Sequence, residues 1–343
     1  MHRTRYFLAA SILICGLGAL IRGDDDNSYL VTVLVSNIPG TAPVTDPKLQ
    51  NGWGIAASGS SPWWVSDNGS GFSTLYTGAG AKQGLEVTVP GDPTGIVNYG
   101  GAQFLLASTP TPRPARFMWA SEDGTISAWN PQFNANTAFV KFMRDGSIFK
   151  GLAIVGNTLF TTDFGECKVQ AIDGTFTAVD TAGGFQDDSI PDKYCPFGIQ
   201  AIGGSIFVTY ALRGGLDDIA GVSHGFVREF DTDGNLLAMV ASHGTLNSPW
   251  GLAMAPSDFG AFSGCLLVGN FGDGLINAYC VGANGEFQPR GRLRQDHHEI
   301  KIDGLWGIGF GNNAGSGLPN VLYFAAGPDD EANGAFGKIE FVE

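Results

Sequence analysis

A chain of 343 residues with 33 acidic against 19 basic side chains, and a formal net charge of −14, is ill matched to nucleic acid or to an anionic membrane surface. Only 15% of its residues are charged, while 51 glycines accompany a 43% hydrophobic content, which describes a turn-rich globule with an apolar core and excludes a disordered or coiled-coil chain. Length alone allows two domains, but β folds often run this long as one.

The chain opens on the basic residues His2, Arg3 and Arg5, followed by an apolar run from Phe7 to Ile21, the layout of a signal peptide ending near Gly23. That run is short for a membrane span of about 20 residues, and no second one follows. Residues 1–23 are therefore read as a leader and 24–343 as one secreted domain without membrane insertion, extracellular or, in a Gram-negative host, periplasmic.

Next comes an orphan strand, Tyr29 to Val35, and after it a short pattern that recurs six times: a bulky residue, a glycine, then aliphatics. The copies are Trp53-Gly54-Ile55-Ala56, Thr94-Gly95-Ile96-Val97, Lys150-Gly151-Leu152-Ala153, Phe197-Gly198-Ile199-Gln200, Trp250-Gly251-Leu252-Ala253 and Trp306-Gly307-Ile308-Gly309, with glycines 41 to 56 residues apart. Each copy is followed by a β-rich run ending in polar residues, such as Leu159 to Asp163 or Leu266 to Asn270, and then by a third run after a Gly-rich turn, such as Thr125 to Trp129 or Phe226 to Phe230. Three strands and a weaker fourth make a propeller blade. No segment shows a capped helical period, so the fold class is all-β, a six-bladed β-propeller. The last repeat supplies only three strands, ending at Gly337 to Val342, and the orphan N-terminal strand should complete it and leave no open edge.

Two insertions, Thr109 to Pro114 and Arg213 to His224, read as surface loops. Four cysteines lie beyond the leader, an even number that fits two disulfides in an oxidising compartment. Cys265 and Cys280 flank the Phe271-Gly272-Asp273-Gly274 turn symmetrically and should face each other across a hairpin. Cys167, opening a third strand, should pair with Cys195, just before the inner strand of the next blade.

Long stretches carry specific wording. Leu246-Asn247-Ser248-Pro249-Trp250-Gly251-Leu252-Ala253, Leu267-Val268-Gly269-Asn270-Phe271-Gly272-Asp273-Gly274, Ile302-Asp303-Gly304-Leu305-Trp306-Gly307, and Ala326-Gly327-Pro328-Asp329-Asp330-Glu331-Ala332-Asn333-Gly334, with Glu122-Asp123-Gly124-Thr125-Ile126-Ser127, resemble a family of secreted bacterial six-bladed propellers of NHL/TolB-like architecture, many of whose members carry a PEP-CTERM sorting tail. The resemblance implies the propeller and an extracellular life. It carries over no catalytic residue, and this sequence has no sorting tail at its end.

In a propeller, the loops that enter the inner strands and the loops between second and third strands meet on one face, around the central channel. Here they hold Trp53, Trp250, Asp303 and Trp306 in the first set and Asn68, Glu122, Asp163, Tyr210 and Asn270 in the second, a candidate ligand site. Glu122, Asp163, Asn270 and Asp303 are hard oxygen donors of the kind that suits calcium, and a central metal could polarise an ester or lactone. Asp, Asn and Gly are equally what tight hairpin turns require, and Trp-Gly can simply pack neighbouring blades.

Weaker patterns accompany these. Asp329 to Glu340 imitates a calcium loop without flanking helices, Gly221-Val222-Ser223-His224-Gly225 matches a nucleophile motif without its helix, and His297-His298-Glu299 places neighbours on opposite faces of a strand. Asn68-Gly69-Ser70 is a glycosylation sequon.

The leading expectation is an extracellular ligand-binding or scaffold propeller acting on a small molecule, a glycan or an extracellular protein. The alternatives are a calcium-dependent hydrolase or lactonase, and a carbohydrate-binding module using exposed tryptophans.

Overall fold

The computed structural model describes residues 28–106 and 111–342; the signal-peptide segment and Thr109 and Pro110 of the Pro-rich insertion lie outside the described residues. Alternating apolar and polar residues, interrupted by glycine turns, fold into six small antiparallel sheets arranged as a six-bladed β-propeller. In chain order the inner strands of blades one to six are Gly52–Ala56, Pro93–Asn98, Phe149–Val155, Tyr194–Ile202, Pro249–Met254 and Leu305–Phe310. Each inner strand packs beside the next, and the sixth beside the first, closing the ring.

The repeated glycine has a steric cause. A Cβ on Gly54 would sit 2.5 Å from the Thr94 carbonyl oxygen, one on Gly95 2.2 Å from the Leu152 nitrogen, one on Gly198 2.1 Å from the Trp250 oxygen, and one on Gly307 2.6 Å from the Trp53 oxygen. Neighbouring inner strands thus approach too closely around the axis for any side chain at this position. The bulky residue before each glycine and the aliphatics after it fall on opposite sides of this constriction.

Blade six is completed by the N-terminal strand Tyr29–Ser36, which pairs antiparallel with Ala335–Phe341 from Tyr29↔Phe341 to Ser36↔Ala335. Tyr29 is fully buried there, with its hydroxyl donating to the Phe259 carbonyl at 2.9 Å. The apolar core is divided into six wedges, one between each pair of blades, and a seventh cluster on the axis.

Both disulfides form as expected: Cys265–Cys280, with Cα atoms 4.3 Å apart, and Cys167–Cys195, with Cα atoms 4.7 Å apart, tying blade three to blade four. The insertions are corrected in part. Arg113–Pro114 pairs with Leu105–Leu106, and Asp217–Asp218 folds back on Arg213–Gly214 at the end of a ten-residue strand, so the second insertion is a hairpin extension rather than an irregular loop. No helix among the described residues is long and apolar enough to cross a membrane.

Candidate functional site

At the end of the channel where the inner strands begin, Trp53, Thr94, Lys150, Phe197, Trp250 and Trp306 occupy the bulky position of the repeat, and all six are buried. Trp53 stacks on Trp306 with ring centroids 3.6 Å apart, Phe271 stacks on the same indole at 3.9 Å, and Trp250 stands edge-on to it at 5.7 Å. This aromatic plug seals the axis. All seven tryptophans of the chain are buried, which corrects the expectation of exposed indoles for carbohydrate.

Above the plug lies a polar network centred on Lys150, which is only 1% exposed. Its ammonium donates to Glu122 Oε1 at 2.6 Å and to Asp217 Oδ1 at 3.0 Å, and stands 5.0 Å over the Trp53 ring. The other Glu122 oxygen accepts from Asn68 Nδ2 at 3.0 Å; Asn51 Nδ2 donates to Asn68 Oδ1 at 3.1 Å and to Glu331 Oε1 at 2.9 Å; and Trp306 Nε1 donates to Asn51 Oδ1 at 3.2 Å. Trp250 Nε1 donates to the Lys150 carbonyl at 3.0 Å. Blades one, two, three, five and six are thereby joined by side chains, and the folded-back hairpin of blade four adds Asp217 from above.

Burial alone would push the Lys150 ammonium down, but Glu122 and Asp217 outweigh it and hold its pKa above that of an ordinary lysine. Glu331 is raised by burial, relieved by the Asn51 amide, and raised again by Asp217 and Glu122. It is carried by three consecutive non-glycine residues in the left-handed region, Asp329, Asp330 and Glu331, with φ of 58°, 51° and 65°. Each such residue costs on the order of 1–2 kcal/mol, so this turn holds local strain against the network it completes.

The four expected calcium donors stand in separate hydrogen-bond settings. Glu122 serves Lys150 and Asn68. Asp163 is fully buried and closes a turn of blade three, accepting from Ser147 Oγ at 2.6 Å and from the Glu166 and Ile148 amides at 3.0 and 3.2 Å. Asn270 Nδ2 donates to the Thr245 carbonyl at 2.9 Å and to Asp273 at 3.0 Å while its Oδ1 is buried without a partner, and Asp303 accepts from the Asp329 amide at 2.9 Å. Among the described residues no three His, Cys, Asp or Glu side chains group where they could hold a metal ion. A lysine ammonium occupies the place between carboxylates that a cation would need, so the donor set does not fit calcium.

Tyr210 stands apart from the axis, in the wedge between blades three and four, with its hydroxyl buried and without a hydrogen-bond partner. Burial pushes that phenol well above the usual tyrosine range. Asn68 is 8% exposed with both ends of its amide engaged, so the sequon is not presented for a glycan.

At the other end of the channel, past the glycine constriction, the inner strands splay and leave a cavity of about 480 Å³ lined by residues from all six blades. Many of its side chains are aliphatic, among them Ile55, Ile96, Ile154, Leu252 and Ile308, with Asn98, Gln200 and Asn312 beside them, yet more of the surface it presents is polar than apolar. Asn312 is fully used, donating to the Ser58 and Ser61 carbonyls at 2.7 and 2.8 Å, whereas Gln200 and Met254 at the rim are exposed. Sequence reasoning missed this mouth. The available signal is the aliphatics one to three places after most of the repeat glycines, which the repeat itself displays.

No protein-family model matches the chain. A search of curated proteins finds "Uncharacterized protein R648" of Acanthamoeba polyphaga mimivirus, 31% identical over 333 residues that cover 91% of this chain and 80% of that one. The chain belongs to the family of that mimivirus protein. Among solved structures, a structural genomics protein of unknown function from Bacteroides thetaiotaomicron is similar with a TM-score of 0.58 and 11% identity, covering 91% of this chain and 76% of that one. Virginiamycin B lyase from Staphylococcus aureus is similar with a TM-score of 0.51 and 13% identity, covering 92% of this chain and all of the other, 100%. These likenesses are of fold.

Proposed function

We propose that this chain is an extracellular, non-catalytic ligand-binding propeller that takes an uncharged small molecule with both apolar and polar groups into the open end of its central channel. The observation that carries the reading is the 480 Å³ cavity, which is within the roughly 300–1,000 Å³ range of ligand pockets, is lined by all six blades, and combines aliphatic side chains with a polar surface that carries no charged side chain. The two disulfides support an oxidising compartment. The polar mouth supports hydrolysis poorly: its lysine is held charged, so it has no free lone pair for nucleophilic attack, and its indoles are stacked on one another.

A neutral apolar fluorophore such as N-phenyl-1-naphthylamine tests the reading. It should brighten on mixing with the protein, and Ala201→Trp, which fills the cavity from a half-buried wall position, should abolish the gain while leaving Tm in place. Unchanged brightening in Ala201→Trp, or chelator-sensitive ester or lactone hydrolysis by the purified protein, would overturn it.

A further inference from the structure

Away from the channel, the outer half of blade five encloses a second cavity of about 240 Å³, bounded by the strands Ile276–Val281 and Phe287–Arg292, by Thr245, and by the short hairpin pairing Arg294 with Glu299. Its polar lining is rich in donors: Asn277, Tyr279, Thr245, Arg292 and Arg294. Two guanidinium groups and one carboxylate, that of Glu299, line it together.

Asn277 is 2% exposed, and its amide is oriented from one side. Its Oδ1 accepts from Arg292 Nε at 3.1 Å, and its Nδ2 has no partner. A donor removed from water and left unpaired is costly, and an acceptor placed in the cavity would relieve it. At the rim, Arg292 Nη1 donates to both oxygens of Glu299 at 2.9 Å each. Glu299 is 41% exposed and sits on a strand of two residues, so a carboxylate of the protein itself already demonstrates the pairing this guanidinium offers to a planar anion.

We propose that this cavity binds a small organic monocarboxylate, whose oxygens take the Asn277 Nδ2 and Arg292 donors while its apolar body lies along Tyr279, Pro289 and Ala278. Glu299 is the internal competitor that the ligand displaces. This site is separate from the channel, and its test does not depend on the channel reading.

Titration of the purified full-length protein with benzoate at constant ionic strength, followed by calorimetry, is the direct experiment. Saturable one-site binding is expected, with benzamide and sulfate failing to compete. Arg292→Gln should weaken it roughly tenfold or more, the loss of a charge-assisted pair, and Glu299→Gln, which removes the competitor, should tighten it. Should Arg292→Gln not fold, the exposed Glu299→Gln variant decides alone. Absence of saturation, equal binding of benzamide or sulfate, or an affinity unchanged in a folded variant would overturn the proposal.

Discussion

The two ends of the channel are built from the same six strands and are chemically opposite. Where the strands begin, the repeat places its largest side chains; three tryptophans and a phenylalanine meet on the axis and a lysine neutralises the carboxylates above them. Past the glycine constriction, the same strands present isoleucine, leucine, valine and alanine, which are too short to meet across the axis and leave a cavity of about 480 Å³. The fold provides the ring, and the residue on either side of one glycine decides which end is sealed.

The largest effect that could break this contrast is at the plug. Trp306 is 1% exposed, stacked on two aromatic rings and hydrogen-bonded to Asn51, so Trp306→Ala should cost about 3–5 kcal/mol, as large-to-small core substitutions do. Thermal or urea unfolding measures it. Ala201→Trp at the open end should leave stability nearly unchanged in the same assay, and equal losses at both ends would mean that the two mouths are not mechanically distinct.

A smaller effect sharpens the electrostatic half of the comparison. Lys150→Met leaves Glu122 and Asp217 without their cation. Removing one partner of a buried pair typically costs about 3–5 kcal/mol, but the Asp217 side chain is 62% exposed and can turn to water, so about 2 kcal/mol is expected here. Adding Glu122→Gln to Lys150→Met should recover part of that loss, a coupling that a double-mutant cycle reads directly. Independent losses would show that the lysine acts through packing on Trp53 rather than through charge.

Much of the fold is written in the sequence because its signals are local. The recurring glycine with its aliphatic tail marks each inner strand, the symmetric placement of Cys265 and Cys280 about one turn gives their register, and the missing fourth strand of the last repeat points to Tyr29–Ser36. The site was less legible because it depends on which positions of different blades meet. Lys150 stands in the repeat where other copies have tryptophan, phenylalanine or threonine, and that anomaly was the visible sign of the polar centre. Asp217 reaches it only through a fold-back of the insertion, which composition could not show. Asp, Asn and Gly in the inner hairpins proved to be mostly turn residues, as the hydrogen bonds of Asp163 and Asn270 demonstrate.

The smallest expected effect concerns a carboxyl group near the same mouth that has no cation of its own. Asp67 ends the second strand of blade one, is fully buried, and neither of its oxygens has a hydrogen-bond partner; the Thr74 hydroxyl donates instead to Tyr76 at 2.8 Å, and Lys82 is bound to Asp46 at 2.8 Å. Burial is the main cause that raises its pKa well above the usual aspartate range, and the Asp46 carboxylate adds to it. A group whose folded pKa exceeds its unfolded value of about 3.9 binds more protons in the folded state, so its contribution favours folding in acid and is lost as pH climbs from there through the folded pKa. Asp67→Asn keeps the shape and removes the titration. The variant should therefore melt higher than the parent at pH 8, with the gap narrowing toward pH 4, whereas Lys150→Met should melt lower than the parent at pH 8. Parallel melting curves for Asp67→Asn and the parent across that range would show that Asp67 is ionised and solvated in the folded protein.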